Sequence, residues 1–533
     1  MQADLVIRGG KVFTADPEAP FTEAVAVNGE VISAVGLESE IGELVGTGTQ
    51  VVDAAGCLVT PGFIDAHVHP ATSGLDRLRL SFEGCGSAED AVAAIAAYAR
   101  DHPDQEWLLG AGWLQSWFER GCPPKELIDQ VVPDRPVLVS NADGHGAWVN
   151  SIALRRAGVT ASTPDPSDGR IERLPDGSPQ GTLHEGAVAL VEAVSPDDTT
   201  ADFVAGLLRG QEELLSHGVT GWQDAAVEKD VQEAYLRLAE SGGLIGRVVG
   251  SLWWDRHRGL EQIEELTERR ERDAPGFRPT SVKLMLDGVA ENFTASMLEP
   301  YLDASGQRGT DLIFPGLLKE AVADLDARGF QCHFHAIGDA AVRHALDAVE
   351  HAVNRNGLSD RRHHIAHLQV VHPDDISRFA GLEVVANAQP LWAHNDDYQT
   401  ELTQPFLGPE RSSWQYPFAD LVRAGARLAM GSDWGVTTAD VMKQIHVAVH
   451  RQYDDRAEPL GPDQALSPVE ALTAFTSGSA YVNHAEDSSG RLAPGMLADL
   501  VVLDGDPLDH GVFSDTGVIL TLVGGRVVWR SDA

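Results

Sequence analysis

Eight short apolar segments, each running into polar residues and most of them separated by a helical stretch, constrain this chain more than any other feature. They are GFIDAHVHP (62–70), GVTGWQDA (218–225), GRVVGSLWW (246–254), SVKLMLDG (281–288), FQCHFHAIGD (330–339), HHIAHLQVV (363–371), EVVANAQP (383–390) and RLAMGSDWG (427–435). Amphipathic stretches such as LLKEAVADLDARG (317–329) and DAAVRHALDAVEHAVNRNG (339–357) lie between them. Eight alternating strands and helices predict an α/β chain folded as a (β/α)8, TIM-type barrel. In that architecture the active site sits at the C-terminal ends of the strands.

Two regions fall outside the alternation. The ends of the chain are β-rich, with DLVIRGGKVFT, AVAVNGEVISAVG and TQVVDAAGCLVTPG at one terminus and ADLVVLDGDPL and VILTLVGGRVVW at the other. These predict a small composite β-sandwich from residues 1–61 and 490–533, flanking a metal-dependent barrel at 62–489. Residues of about 75–200 are too many for one βα unit, so they predict an insertion at the barrel mouth, with RPVLVSNADGH as one of its strands.

Composition excludes several classes. With 43% apolar and 23% charged residues, the chain is neither disordered nor collagen-like nor a pure coiled coil. No apolar run reaches the roughly 18 residues of a membrane span, and the opening MQADLVIRGGK lacks the apolar core of a secretory signal. Eighty acidic against 40 basic residues leave a net charge of −40, which repels nucleic-acid phosphates and anionic lipid. The expected partner is a small-molecule substrate, and the acidic barrel is compatible with a homodimer. Four scattered cysteines without a CxxC pair predict reduced thiols in a cytoplasm.

Polar residues inside apolar strands are costly unless they have a partner or a task. His67 and His69 are two apart on one strand, so both leave the same face and can present two imidazoles to one metal ion. His335, His367 and Asp433 occupy the mouth ends of three further strands. Four histidines and an acid from four strands make an N/O ligand set that suits zinc, whereas each histidine alone reads as a hydrogen-bonded core residue. Lys283 lies in an apolar strand of a chain with only six lysines. Burial depresses an amine by about 3–5 pKa units. A neutral amine can add CO2 to form a carbamate that bridges two metals. A Schiff-base lysine and a lysine paired with Asp287 are the other readings, and Glu185 is an alternative bridge.

On the motifs PGFIDAHVHP, VKLMLDG, HAIGD, AHLQ, GSDWGV and LAPGMLADLVVLDGDPL, with DGHGAWVN (143–150) and GVTGWQDA, the chain resembles the amidohydrolase superfamily. Within it the resemblance is to the amidohydrolase-3 branch, which contains N-substituted formamide deformylases and YtcJ-like proteins, and it runs nearly end to end. It implies a β-sandwich plus a metal-bearing barrel. By motif position it places His67, His69, carboxylated Lys283, His335, His367 and Asp433 at a site for one or two Zn2+ ions, with Asp433 as general base. IAHLQ stands where the branch often reads IEHAQ, and GSDWGV where it often reads GSDAPV, so Trp434 is expected to reshape the substrate pocket.

The implied reaction is hydrolysis of a C–N bond of the amide type by a metal-activated hydroxide, since zinc lowers the pKa of water from 15.7 to about 7. His145 and Asn150 are candidate hydrogen-bond donors to a substrate carbonyl or carboxylate, or else members of a satisfied turn. Trp113, Trp117, Trp392 and Trp434 are candidate pocket walls, or else core residues. His333 shares the inward face with His335 and is expected behind the ligands, with His363 and His364 as ordinary strand residues. A mononuclear deaminase or cyclic-amide hydrolase on the same barrel, and a non-catalytic ligand-binding member, are the competing readings.

Overall fold

The computed structural model describes residues 2–302 and 306–531. Its centre is a sheet of eight parallel strands in chain order Phe63–Val68, Val219–Val227, Arg247–Trp253, Phe277–Met285, Gln331–Ala336, His364–His367, Val385–Ala388 and Leu428–Met430. We number them as the first to eighth barrel strands. Each overlaps one of the eight apolar segments, so the expected barrel is the observed one. Phe63, Trp222, Val248, Phe277, Leu284, Phe334 and Ile365 are buried in one core with Leu214, Tyr235, Leu318 and Leu346 of the surrounding helices. Each such side chain contributes about 1.5–3 kcal/mol by leaving water.

The first and eighth barrel strands, at the two ends of the sheet, meet without a regular ladder. Just beyond them the Asp433 N–H donates to the His67 carbonyl at 2.8 Å, and the His69 N–H donates to the Trp434 carbonyl at 2.9 Å. Gly431 permits this approach, because a Cβ there would lie 2.4 Å from the His67 backbone nitrogen. Asp65 fastens the same seam: its carboxylate accepts from the Ser432 hydroxyl at 2.5 Å and from the Ser432 and His67 backbone N–H groups.

Several strands are shorter than their apolar segments. HHIAHLQVV supplies only His364–His367, and RLAMGSDWG only Leu428–Met430. The chain leaves extended geometry where His367, Leu368 and Asp433 adopt φ of 76°, 55° and 55°. Non-glycine residues at positive φ cost energy and cluster where function demands a particular side-chain direction.

A second sheet of six strands, ordered Gly169–Arg173, Pro179–Glu185, Gly146–Val149, Val137–Asn141, Leu108–Trp113 and Leu80–Ser81, forms between the first and second barrel strands. It carries two apolar clusters of its own, one around Trp113, Trp148 and Ile95 and one around Leu183, Val149 and Ile171. Strands from both ends of the chain share a further sheet. Leu58–Pro61 lies between Lys11–Phe13 and Leu500–Leu503, with Val518–Val523 and Arg526–Arg530 beyond. A four-stranded sheet of N-terminal residues packs with it around Leu5, Val25, Leu492 and Leu522. Among the described residues, no helix is long and apolar enough to cross a membrane.

Candidate active site

A cavity of about 760 Å³ opens at the C-terminal ends of the barrel strands, between them and the inserted sheet. His67, His69, Lys283, His335, His367 and Asp433 all line it. Asp433 stands at the centre. Its Oδ1 lies 3.5 Å from His67 Nε2 and 3.3 Å from His69 Nε2, and its Oδ2 lies 3.8 Å from His367 Nδ1. Ligand atoms of His67, His367 and Asp433 are all within 4.8 Å of one another. His335 sits beside this group, its ring centroid 4.5 Å from that of His367, with Nε2 3.3 Å from the Gly288 carbonyl oxygen.

Hydrogen bonds fix which nitrogen faces inward. His67 Nδ1 bonds His333 Nε2 at 2.7 Å, and His333 Nδ1 bonds the Ser251 hydroxyl at 3.0 Å, so His67 Nε2 is left for the centre. His333 therefore lies behind His67, two residues before His335 on the same strand. The Gln389 side chain accepts from the His367 N–H at 2.6 Å and holds that residue's unusual backbone. His364 bonds Asn387 at 3.1 Å and His363 accepts from the Cys332 N–H at 2.9 Å, as ordinary strand residues would.

The electrostatics favour a cation. Burial, with Lys283 and the other imidazoles adding to it, drives His67 well below the ordinary histidine range; burial does the same to His335 and His367. All three are therefore neutral donors of lone pairs. Burial works to raise Asp433, but His69, His367 and Lys283 outweigh it and hold the carboxyl below its ordinary value. Among the described residues, the buried Asp433 Oδ1 accepts no hydrogen bond of good geometry, its nearest polar neighbours being the Nε2 atoms of His69 and His67. A buried carboxylate oxygen so placed among imidazoles is costly by itself and is satisfied by a metal ion. The residues fit the group.

Lys283 is fully enclosed, and burial brings its amine down to about 7, with Asp433 and Asp224 opposing that fall. Pairing with Asp287 is excluded as its explanation. The Asp287 carboxylate instead accepts from the backbone N–H groups of Ser296, Ile337 and Gly338 and lies 3.7 Å from His335 Nε2.

The candidate substrate residues divide. His145 lines the cavity, its Nδ1 2.9 Å from Glu185 Oε1; burial lowers its pKa, but Glu185 and Asp143 outweigh this and carry it up to about 9. Trp392 and Trp117 also line the cavity. Asn150 does not. It is buried and caps the Ser151–Arg156 helix, its Oδ1 accepting from the Ala153 and Val137 N–H groups and its Nδ2 donating to the Arg135 and Val132 carbonyls. Trp113 is core to the inserted sheet, donating to the Val139 carbonyl at 2.9 Å and packing on Phe118 and Trp148. Trp434 is 1% exposed and buried in the barrel core, so it is the neighbouring Gly435 and Val436 that face the cavity. These three expectations are corrected: each side chain has its polar atoms satisfied or its ring packed away from the opening.

Sequence reasoning missed Asp65, Gln389 and Ser251, which hold ligands without touching the cavity. The argument that flags a histidine inside an apolar strand applies equally to Asp65 in FIDAHVHP.

The Amidohydro_3 model, described as the amidohydrolase family, matches residues 50–529. The protein LONG AFTER FAR-RED 3 of Arabidopsis thaliana is 30% identical over 99% of this chain and 92% of its own length. An N-substituted formamide deformylase of Arthrobacter pascens is 27% identical over 98% of this chain and 97% of its own. Among solved structures, an uncharacterized metal-dependent hydrolase from Pyrococcus furiosus superposes with a TM-score of 0.72 at 26% identity, covering 95% of this chain and 99% of that one. The chain therefore belongs to the amidohydrolase family, and is a metal-dependent hydrolase of the kind that acts on carbon–nitrogen bonds.

Proposed function

We propose that this protein hydrolyses an amide bond in a small molecule, using zinc held by His67, His69, His335, His367 and Asp433. The observation that carries the reading is the convergence of His67 Nε2 and His69 Nε2 on the buried Asp433 Oδ1, at 3.5 and 3.3 Å, at the barrel mouth. Zinc bound there supplies Lewis acidity and brings the pKa of water down to about 7. The remaining chemistry belongs to the chain. Asp433, held below the ordinary carboxylate range, is ionised at neutral pH and accepts the proton of the attacking water at its free oxygen. It then returns that proton to the departing nitrogen, which leaves as a neutral amine. His145, held protonated by Glu185, donates a hydrogen bond to the developing oxyanion of the substrate. The inserted sheet covers the mouth and, with Trp117 and Trp392, excludes bulk solvent from the bound amide.

We also propose a carbamate on Lys283, formed from CO2, as the group that makes room for a second zinc. An enclosed amine titrating near 7 is nucleophilic toward CO2 at neutral pH, and the resulting anion is better placed than an ammonium among metal ligands. Four unpaired cysteines support a cytoplasmic location.

The test is turnover of a panel of N-acyl and N-formyl amides by the wild type and by Asp433→Asn. The substitution is expected to keep the fold and most of the metal while costing about 10²–10⁴-fold in kcat. A variant within a factor of a few of wild type would place the base elsewhere.

A further inference from the structure

The cavity's charges are arranged asymmetrically. Its cations are spoken for: Arg77 pairs with Glu83, Arg256 Nε lies 2.8 Å from Asp168, and His145 pairs with Glu185. Lys283 is enclosed at the floor among the ligands. Its acids are not balanced in the same way. Asp76, Glu192 and Glu228 line the mouth, and among the described residues none of them has an ion pair within 4 Å or a side-chain hydrogen bond, although the charges of Arg79 and Arg77 act on Asp76 and that of Arg269 on Glu228. They come from three different elements: the Pro70–Asp76 helix after the first strand, the Ala189–Glu192 helix of the insertion, and the residue after the second strand.

Loss of solvent lifts the half-buried Asp76 carboxyl to about 7, Arg79 and Arg77 opposing the rise and Asp198 adding to it. Glu192 and Glu228 are exposed. Glu192 is raised by partial loss of solvent and by the charges of Glu228 and Asp198, and Glu228 by partial loss of solvent with Asp230 and Asp255, against the charge of Arg269. Deeper in, Glu291 lines the cavity with the Thr403 hydroxyl as its hydrogen-bond partner and no cation. Trp392, Trp117, Tyr398 and Tyr416 line the same space, and aromatic faces attract cations. Among the described residues, the lining arginines and His145 are each held in an ion pair, whereas Glu192 faces only other acids and neither Asp76 nor Glu228 is closed off by an ion pair.

Resting on the amide-hydrolase reading above, we propose that the mouth selects amides bearing a positive charge remote from the scissile bond, N-acylated diamines being the simplest class. The ammonium sits against Asp76, Glu192 and Glu228 while the amide reaches Asp433. An anionic substrate is repelled by the same three groups.

The experiment compares kcat/KM for matched amides whose distal group is a trimethylammonium, a neutral tert-butyl or a sulfonate, using the zinc-loaded enzyme. The cationic amide is expected to be preferred over the neutral one by at least ~10-fold at low ionic strength, and the sulfonate to be the poorest. Added KCl should shrink the preference, since mouth charges are partly solvated. Glu192→Gln and Glu228→Gln should each narrow the cation-to-neutral ratio, chiefly through KM. In parallel, calorimetry measures benzyltrimethylammonium, benzyl alcohol and benzenesulfonate binding; a quaternary ammonium cannot ligate a metal, so its affinity reads the acids. Amides cleaved with neutral or anionic preference would overturn the proposal and leave the amide-hydrolase reading intact. If no amide is cleaved, tighter binding of benzyltrimethylammonium than of benzyl alcohol supports the charge assignment and places the fault in the reaction assigned. Equal binding of the two overturns the charge assignment.

Discussion

Asn150→Ala separates a structural role from a substrate-binding one, and its cost follows from the hydrogen bonds lost. The side chain caps a helix through the Ala153 N–H at 3.0 Å and holds the Val137 N–H at 3.1 Å. It also donates to the Arg135 carbonyl at 2.8 Å and the Val132 carbonyl at 3.3 Å. Loss of a cap costs ~1 kcal/mol. Each buried group left without a partner costs ~1–3 kcal/mol, and the Val137 N–H is one of them. With a carbonyl partly relieved by relaxation, the total is about 3–5 kcal/mol for the inserted sheet. Hydrogen exchange of residues 151–156 reads this locally, and protection there should fall by roughly two to three orders of magnitude, at 1.4 kcal/mol per decade. KM and kcat per folded molecule should stay near wild type, because the side chain does not reach the cavity. A raised KM with unchanged protection would refute the reasoning and return Asn150 to the substrate.

Two further predictions follow from the centre itself. Lys283→Ala should lower the zinc content per chain and the activity together, and a short carboxylic acid such as formate or acetate should restore part of both by standing in for the carbamate; metal analysis with turnover checks it. Glu185→Gln should release His145, whose folded pKa of about 9 exceeds its ordinary 6.5. A raised histidine contributes stability that is complete below 6.5 and is lost as pH rises through 9, so wild-type stability should decline across that window. In the Glu185→Gln protein, only Asp143 and Asp287 are left to oppose burial and that decline should be much smaller, which pH-dependent thermal unfolding tests directly.

How far the sequence could be read depends on what each residue does. The barrel was legible because parallel strands buried on both faces leave continuous apolar runs, and every one of the eight is visible as such. His67, His69, His335, His367 and Asp433 stood out because a polar side chain within such a run calls for an explanation. Barrel register alone puts them at a common mouth but does not say which atoms meet at Asp433, since that depends on Asp65 closing the seam between the first and last strands. The pocket walls were least legible. Trp113, Trp392 and Trp434 are chemically identical, yet one packs in the inserted sheet, one faces the cavity and one is buried in the barrel. Residue type carries no record of direction within irregular or inserted segments. Asn150 was ambiguous for a related reason, because an asparagine before a helix serves equally as cap or ligand.

The central claim is that the side chains gathered on Asp433 hold the metal on which hydrolysis depends. Anomalous diffraction at the zinc edge, on crystals of active enzyme, tests it most directly. A peak is expected about 2.0–2.2 Å from nitrogens of His67 and His69 and an oxygen of Asp433. A second peak would lie toward His335 and His367, beside a carboxylated Lys283 Nζ. Crystals of fully active enzyme with no anomalous scatterer among these residues, or with the metal held elsewhere, would contradict it.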